Sequence, residues 1–292
     1  MVSKEQVIVA VANFRDRWGD KKENLARMCR LCEEAETRQV DIIAFPELAL
    51  TGYEVEPEAS MHKKLAETIP GPSTDVMAKE ALKHKLHILF GMPERDKDSP
   101  SFLNSAVVIG PEGNIISVHR KAHPWVPERA WSAEGPGTYE AIETEFGLMG
   151  VMICYETYMF PEVARILALK GARLLFNMTA ACEYEGWNML PFMLQQVRAR
   201  ATENLVYVAS TNLVGQELEL EYLGNSLITG PNYPSLVFDY AGPASRTDSE
   251  LLVATLDLQK LNEMWKEVPH FKDRRPETYS FLLKEGTKDC LS

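Results

Sequence analysis

Apolar positions in this chain alternate between two spacings. The strand-like run Val7-Ile8-Val9-Ala10-Val11 is followed by residues 21–38, where Leu25, Met28, Cys29, Cys32 and Ala35 recur at helical spacing, and then by Ile42-Ile43-Ala44-Phe45. That is a β-α-β unit. The pattern predicts a second helix near 74–85, a strand through Ile88-Leu89-Phe90-Gly91-Met92, and a strand over 102–109. The Gly110-Pro111-Glu112-Gly113-Asn114 turn returns that strand into 115–118 as a hairpin. The alternation resumes with a strand over 148–154, a helix near 161–170, a strand over 174–178, a helix near 190–204 and a strand over 206–210. Further strands are expected near 226–229, 236–239 and 251–256. Strands alternating with helices, with hairpins interposed, indicate a layered α/β domain. No repeat, low-complexity linker or composition shift marks a boundary, so residues 1–292 are expected to form one domain. The tail from about Pro269 is more polar and turn-rich, and is expected to wrap a surface or a neighbouring subunit.

Composition narrows the function classes. Hydrophobic residues make up 45% and charged residues 25%, and no apolar run approaches the ~20 residues of a membrane helix. No basic, apolar and small-residue leader precedes Val7, so a cytoplasmic location without membrane attachment is expected. With 31 Lys and Arg against 42 Asp and Glu, the net charge is -11. No basic cluster interleaved with aromatics offsets it, which disfavours nucleic acid as a partner. Five cysteines, Cys29, Cys32, Cys154, Cys182 and Cys290, are an odd number in a chain of this size and argue against a secreted disulfide framework.

Three reactive side chains fall where apolar runs end, which is where α/β folds collect active sites. Glu47 follows Ile42 to Pro46, Lys121 closes Ile116-Ser117-Val118-His119-Arg120, and Cys154 ends Leu148-Met149-Gly150-Val151-Met152-Ile153. A thiol at a strand-to-helix turn is expected to gain from helix N-terminal dipoles, which favour the thiolate, and from free backbone amides that can receive an oxyanion. A carboxylate can take the thiol proton and an ammonium can stabilise charge on a carbonyl oxygen.

At these residues the chain resembles the nitrilase superfamily of carbon–nitrogen hydrolases, whose catalytic set is Glu, Lys and Cys in that order. The matching segments are Phe45-Pro46-Glu47-Leu48 with Thr51-Gly52-Tyr53, Arg120-Lys121-Ala122-His123, and Gly150 to Glu156. They continue in Phe160-Pro161-Glu162, Arg165, Leu169-Lys170-Gly171-Ala172, Ala199 to Asn204, and Arg274-Arg275-Pro276. The resemblance implies a four-layer αββα sandwich and a homodimer packed through its helical layers. It also implies Glu47 as general base, Lys121 as oxyanion stabiliser and Cys154 as nucleophile. Glu128 matches a second family glutamate, positioning Lys121 or the substrate amine, although the loop His123-Pro124-Trp125-Val126 departs from the family's usual text. The substrate implied is a small amide, with N-carbamoyl compounds and nitriles as alternatives. Nitrilases usually carry Cys-Trp-Glu, where this chain has Cys154-Tyr155-Glu156. The paired arginines by which N-carbamoyl-D-amino-acid hydrolases hold a carboxylate are replaced by Thr157-Tyr158-Met159-Phe160, which leaves Arg129 or Arg198 to serve from elsewhere.

Other readings stand beside these. A cysteine in an apolar strand is usually core filler, and the same carboxylates and ammonium are usually solvated charges; a non-catalytic binding member of the fold is the rival class. Cys29-x-x-Cys32 has half of a zinc spacing but lies on a helix's apolar face with no second pair nearby, so core packing is expected. The six histidines form no metal-binding motif, and no catalytic metal or cofactor is expected. There is no Gly-rich phosphate loop and no Gly-x-Ser-x-Gly. Tyr53, Trp125, Trp131, Tyr155, Tyr184 and Trp187 fall near the strand-end loops and are expected to line a compact aromatic pocket, with the Tyr155 N–H in the oxyanion site.

Overall fold

Along the opening strand, β1 (Gln6–Phe14), Val7, Val9 and Val11 enter one hydrophobic core, while Ala10, Ala12 and Phe14 enter another. This period-two split means that β1 is buried on both faces. The computed structural model describes residues 4–56 and 58–283. After β1 come α1 (Lys21–Thr37), β2 (Ile42–Ala44), α2 (Ser60–Leu65), α3 (Pro72–His84), β3 (His87–Arg95), β4 (Phe102–Ile109) and β5 (Ile115–Arg120). The middle of the chain forms β6 (Ile142–Thr144), β7 (Gly147–Ile153), α4 (Tyr155–Met159), α5 (Pro161–Leu169), β8 (Leu174–Thr179) and α6 (Met189–Asn204). The remainder forms β9 (Tyr207–Glu217), β10 (Leu220–Leu223), β11 (Leu227–Asn232), β12 (Ser235–Ala241), β13 (Glu250–Asp257) and α7 (Leu258–Glu267).

Pairing gives one sheet in the order β5-β4-β3-β2-β1-β13 and a second in the order β6-β7-β8-β9-β11-β12. Among the described residues their strand ladders join only where Asn13 and Phe14 pair with Asn212 and Leu213. Elsewhere they lie face to face. The core between them takes Val9, Val11, Ala44, Leu89 and Val108 from the first sheet and Met149, Val151, Phe176 and Ala209 from the second. Outside the first sheet lie Met28, Cys32 and Ala35 of α1 and Met77 and Ala81 of α3. Outside the second lie Val163 and Leu167 of α5 and Met193, Val197 and Ala201 of α6. The result is the four-layer αββα sandwich.

The strands and long helices fall close to their sequence-derived bounds, except that β9 runs on to Glu217, seven residues past the expected 206–210. Cys32 is fully buried on the core face of α1, with Cys29 half-buried beside it. The short elements α2, α4, β6 and β10, and the ten-residue α7, had no counterpart in the sequence reading. From residue 269 to 283 the tail is largely exposed; Cys290 lies outside the described residues.

Candidate active site

The three strand ends meet at one end of the sandwich. β2 and β3 are parallel, β4 reverses and β5 reverses again, so the chain leaves β2 toward Glu47 and β5 toward Lys121 on the same side. Glu47 sits in a tight loop after Phe45-Pro46, with Leu48 at φ 50. That loop lies directly on Gly91 of β3, whose N–H donates to the Pro46 carbonyl at 3.2 Å and whose carbonyl accepts from Leu50 N–H at 3.2 Å. A Cβ at Gly91 would stand 2.3 Å from the Leu48 nitrogen and 2.8 Å from the Glu47 Cα. The glycine is what lets the carboxylate loop approach the strand.

Lys121 is 0% exposed, and its Nζ donates to Glu47 Oε1 and to Glu128 Oε1, each at 2.6 Å. An ammonium has three N–H donors, so one remains for a substrate oxygen. Glu128, on the short 3-10 turn Pro127–Ala130, is 0% exposed, which excludes the reading of it as a solvated charge. Tyr53 O–H donates to Glu128 Oε1 at 2.8 Å, and Asn104 Nδ2 donates to Glu47 Oε1 at 2.8 Å and to Glu128 Oε2 at 3.3 Å. From the facing sheet, Ala180 N–H donates to Glu47 Oε2 at 3.1 Å. A buried charge is tolerated only when paired and hydrogen-bonded, and this cluster meets that condition.

Cys154 follows β7 and caps α4 in an unusual conformation, φ 50 and ψ -100. Strained backbone of this kind concentrates at functional sites. Its carbonyl accepts from Thr157 and Tyr158 N–H, so the elbow is fixed on its helical side. Tyr155, the first residue of α4, has no intrahelical acceptor for its N–H. Cys154 is 9% exposed, Glu47 1% and Lys121 0%, so Cys154 is the least buried of the three.

Burial sets the proton inventory. It pushes the Glu47 carboxyl up, Lys121 pulls it back and Glu128 raises it again, leaving it at about 7 against an ordinary 4.5. Burial works against the Lys121 charge, but the Glu128 and Glu47 carboxylates offset this and hold the ammonium above its ordinary value. The Cys154 thiol is held well above its ordinary value, by burial first and then by the Glu47 charge, with Lys121 and the Thr179 hydroxyl opposing. This corrects the sequence expectation of a dipole-stabilised thiolate: α4 has only five residues, and burial beside carboxylates outweighs its dipole. Cys154 therefore rests as a thiol, with a carboxyl beside it poised near neutrality.

The remaining sequence candidates separate. Trp125 packs edge-on against Tyr155 at 4.8 Å and Tyr184 at 6.3 Å, forming part of an aromatic rim. Trp187 is 71% exposed, and Trp131 is buried, stacked on His62 at 4.5 Å. Arg198 is committed to Asp239 at 2.6 Å, and Arg129 is exposed. His123 stacks on Phe160 at 4.0 Å and meets the Tyr139 hydroxyl at 3.0 Å, a packing role. Sequence reasoning missed Asn104, Ala180 and Thr179. Of these, only Asn104, an amide in the apolar run of β4, left a signal. Among the described residues no group of three or more His, Cys, Asp and Glu is placed to hold a metal, and no helix is long and apolar enough to cross a membrane.

Paired sheets flanked by helices, with a cysteine elbow facing a buried Glu–Lys–Glu cluster, define a class of layered α/β hydrolase. A structure from Helicobacter pylori described as a carbon-nitrogen hydrolase superposes with a TM-score of 0.82 at 26% identity, over 96% of this chain and 99% of that one. The carbon-nitrogen hydrolase family model matches residues 8–266. A protein of Schizosaccharomyces pombe named as a probable nitrilase is 34% identical over 286 residues, 94% of this chain and 98% of its own length. An omega-amidase of Xenopus tropicalis is 32% identical over 282 residues, 91% of this chain and 94% of its own. The chain belongs to the carbon–nitrogen hydrolase family of the nitrilase superfamily, and is a hydrolase of carbon–nitrogen bonds.

Proposed function

We propose that this protein hydrolyses a small amide through a thioester on Cys154. The observation that carries the reading is the single buried ammonium of Lys121 held 2.6 Å from both Glu47 and Glu128, beside a neutral thiol at an elbow. Of the two carboxylates, the Glu47 charge acts more strongly on the thiol, which makes Glu47 the base. Glu128, receiving Lys121, Tyr53 and Asn104, holds the ammonium in place.

In acylation the Cys154 proton passes to Glu47 as sulfur bonds to the carbonyl carbon. The oxyanion is received by the third N–H of Lys121 and the backbone N–H of Tyr155. When the oxyanion collapses, the carbon–nitrogen bond breaks and Glu47 returns the proton to nitrogen, releasing ammonia or an amine. Water then gives a proton to Glu47 and its oxygen to the thioester. The carbon–sulfur bond breaks, and the thiol recovers its proton as the acid leaves. The relative named as an omega-amidase, together with Tyr155 after the cysteine, supports amides; the relative named as a nitrilase keeps nitriles as the second reading. The rim of Trp125, Tyr155 and Tyr184 suits a compact or flat acyl group.

The test is a panel of primary amides, N-carbamoyl compounds and nitriles assayed for ammonia, with intact-mass detection of an acyl adduct on Cys154. Amide turnover without nitrile turnover is expected. Nitrile turnover with inert amides would overturn the substrate assignment, and absence of any adduct or turnover would favour a binding protein.

A further inference from the structure

The nucleophile and the ammonium come from different sheets. Lys121 leaves the edge strand β5 of the first sheet and Cys154 leaves β7 of the second, and among the described residues the strand ladders of the two sheets pair only at the β1–β9 corner. Something local must fix their separation, because a displacement of about 1 Å between reacting groups can cost on the order of a hundredfold in rate. Glu156 meets that need. Its side chain is completely buried and touches both lines of backbone: Oε1 accepts from the N–H of Ala122, next to Lys121, at 2.9 Å, and Oε2 accepts from the N–H of Ile153, next to Cys154, at 2.9 Å. His119 of β5 adds its Nε2 to Oε2 at 2.7 Å, and His123 Nδ1 lies 3.8 Å from Oε1.

We propose that Glu156 is a positioning residue that staples the Lys121 strand end to the Cys154 elbow and so sets the distance between oxyanion donor and nucleophile. The inference rests on the Glu47–Lys121–Cys154 mechanism above and adds a residue to it that touches neither substrate nor reacting atom. A staple acts on the relation between two groups rather than on either alone. Losing it therefore impairs acylation, which needs both, and spares alkylation of the thiol by iodoacetamide, which needs no oxyanion donor.

The experiment compares Glu156→Gln and Glu156→Asp with the parent, measuring kcat/KM on an amide found active in the panel and the rate of Cys154 alkylation by intact mass. Gln replaces one acceptor oxygen with a donor, whereas Asp keeps the charge but is one methylene too short to reach both N–H groups. For Glu156→Gln, kcat/KM should fall on the order of tenfold to a hundredfold, with the alkylation rate within about threefold of the parent. Glu156→Asp should show a smaller loss with the same split, and it carries the test if Glu156→Gln does not fold. Parental kcat/KM in a folded variant, or a parallel fall of turnover and alkylation, would overturn the proposal. Cys154→Ala run alongside separates the two failures, since turnover in that variant would refute the underlying mechanism instead.

Discussion

Glu47 gives the mechanism its most quantitative handle. Only its ionised form can take the thiol proton, and with its pKa at about 7 kcat/KM for an amide should show an acid limb. The ionised fraction is about half at pH 7, about 10% at pH 6 and about 1% at pH 5, so the rate falls close to tenfold per unit below neutrality. Stability runs the other way. Folded Glu47 holds its proton more tightly than the unfolded carboxyl at 4.5, so the folded state binds more protons between those values. The contribution is complete below pH 4.5 and is lost as pH rises through about 7. A shift of that size corresponds to about 3 kcal/mol. Glu47→Gln removes both effects. Urea unfolding of parent and variant at pH 5 and pH 8 should show the variant gaining about 2–3 kcal/mol relative to the parent at the higher pH. Steady-state ammonia release over the same range tests the rate. A kcat/KM that is flat from pH 5 to 7, or a stability difference independent of pH, would refute the assignment of the base.

Three further outcomes follow from the same geometry. Cys154→Ala and Cys154→Ser should lose turnover while unfolding at close to the parental urea concentration, and iodoacetamide should inactivate the parent; activity in the alanine variant would end the thioester reading. Lys121→Ala should slow acylation by on the order of a hundredfold or more, the usual cost of a lost oxyanion donor, as read by single-turnover adduct formation. Gly91→Ala would force the Glu47 loop off β3; it should destabilise the protein by about 1–3 kcal/mol in urea unfolding and cut kcat/KM more than tenfold, and a fully active, equally stable variant would show that the close approach is dispensable.

The candidate side chains Glu47, Lys121 and Cys154 were legible because they stand at strand ends in segments that resemble the nitrilase superfamily in the same order; the strand ends alone would have left the thiol as core filler and the two charges as solvated. The long elements were legible from their periodicity. β6 and β10, of three and four residues, are too short to express a period. α7 did carry a signal: Leu258, Leu261 and Met264 repeat on one face, and the Asp257 side chain accepts from Lys260 N–H at 2.9 Å. What no local pattern reveals is a partner contributed from elsewhere in the chain. Ala180 reaches Glu47 and Thr179 reaches Cys154 from elsewhere in the chain, and Gly91 reads as an ordinary strand glycine until the Glu47 loop is seen lying on it. The thiolate expectation failed for a related reason, since a dipole can be read from a turn but the depth of burial cannot.

The narrow corner at which Asn13 and Phe14 meet Asn212 and Leu213 bears on how the enzyme comes into being. A chain that has formed only its first sheet possesses Glu47 and Lys121 but no nucleophile beside them, and one that has formed only its second possesses a thiol with no base. On the proposed mechanism, neither half can attack an amide. With the roles proposed above, hydrolytic competence arrives with the closing of one sheet onto the other, and a newly made or partly unravelled molecule would be chemically inert toward whatever amides surround it.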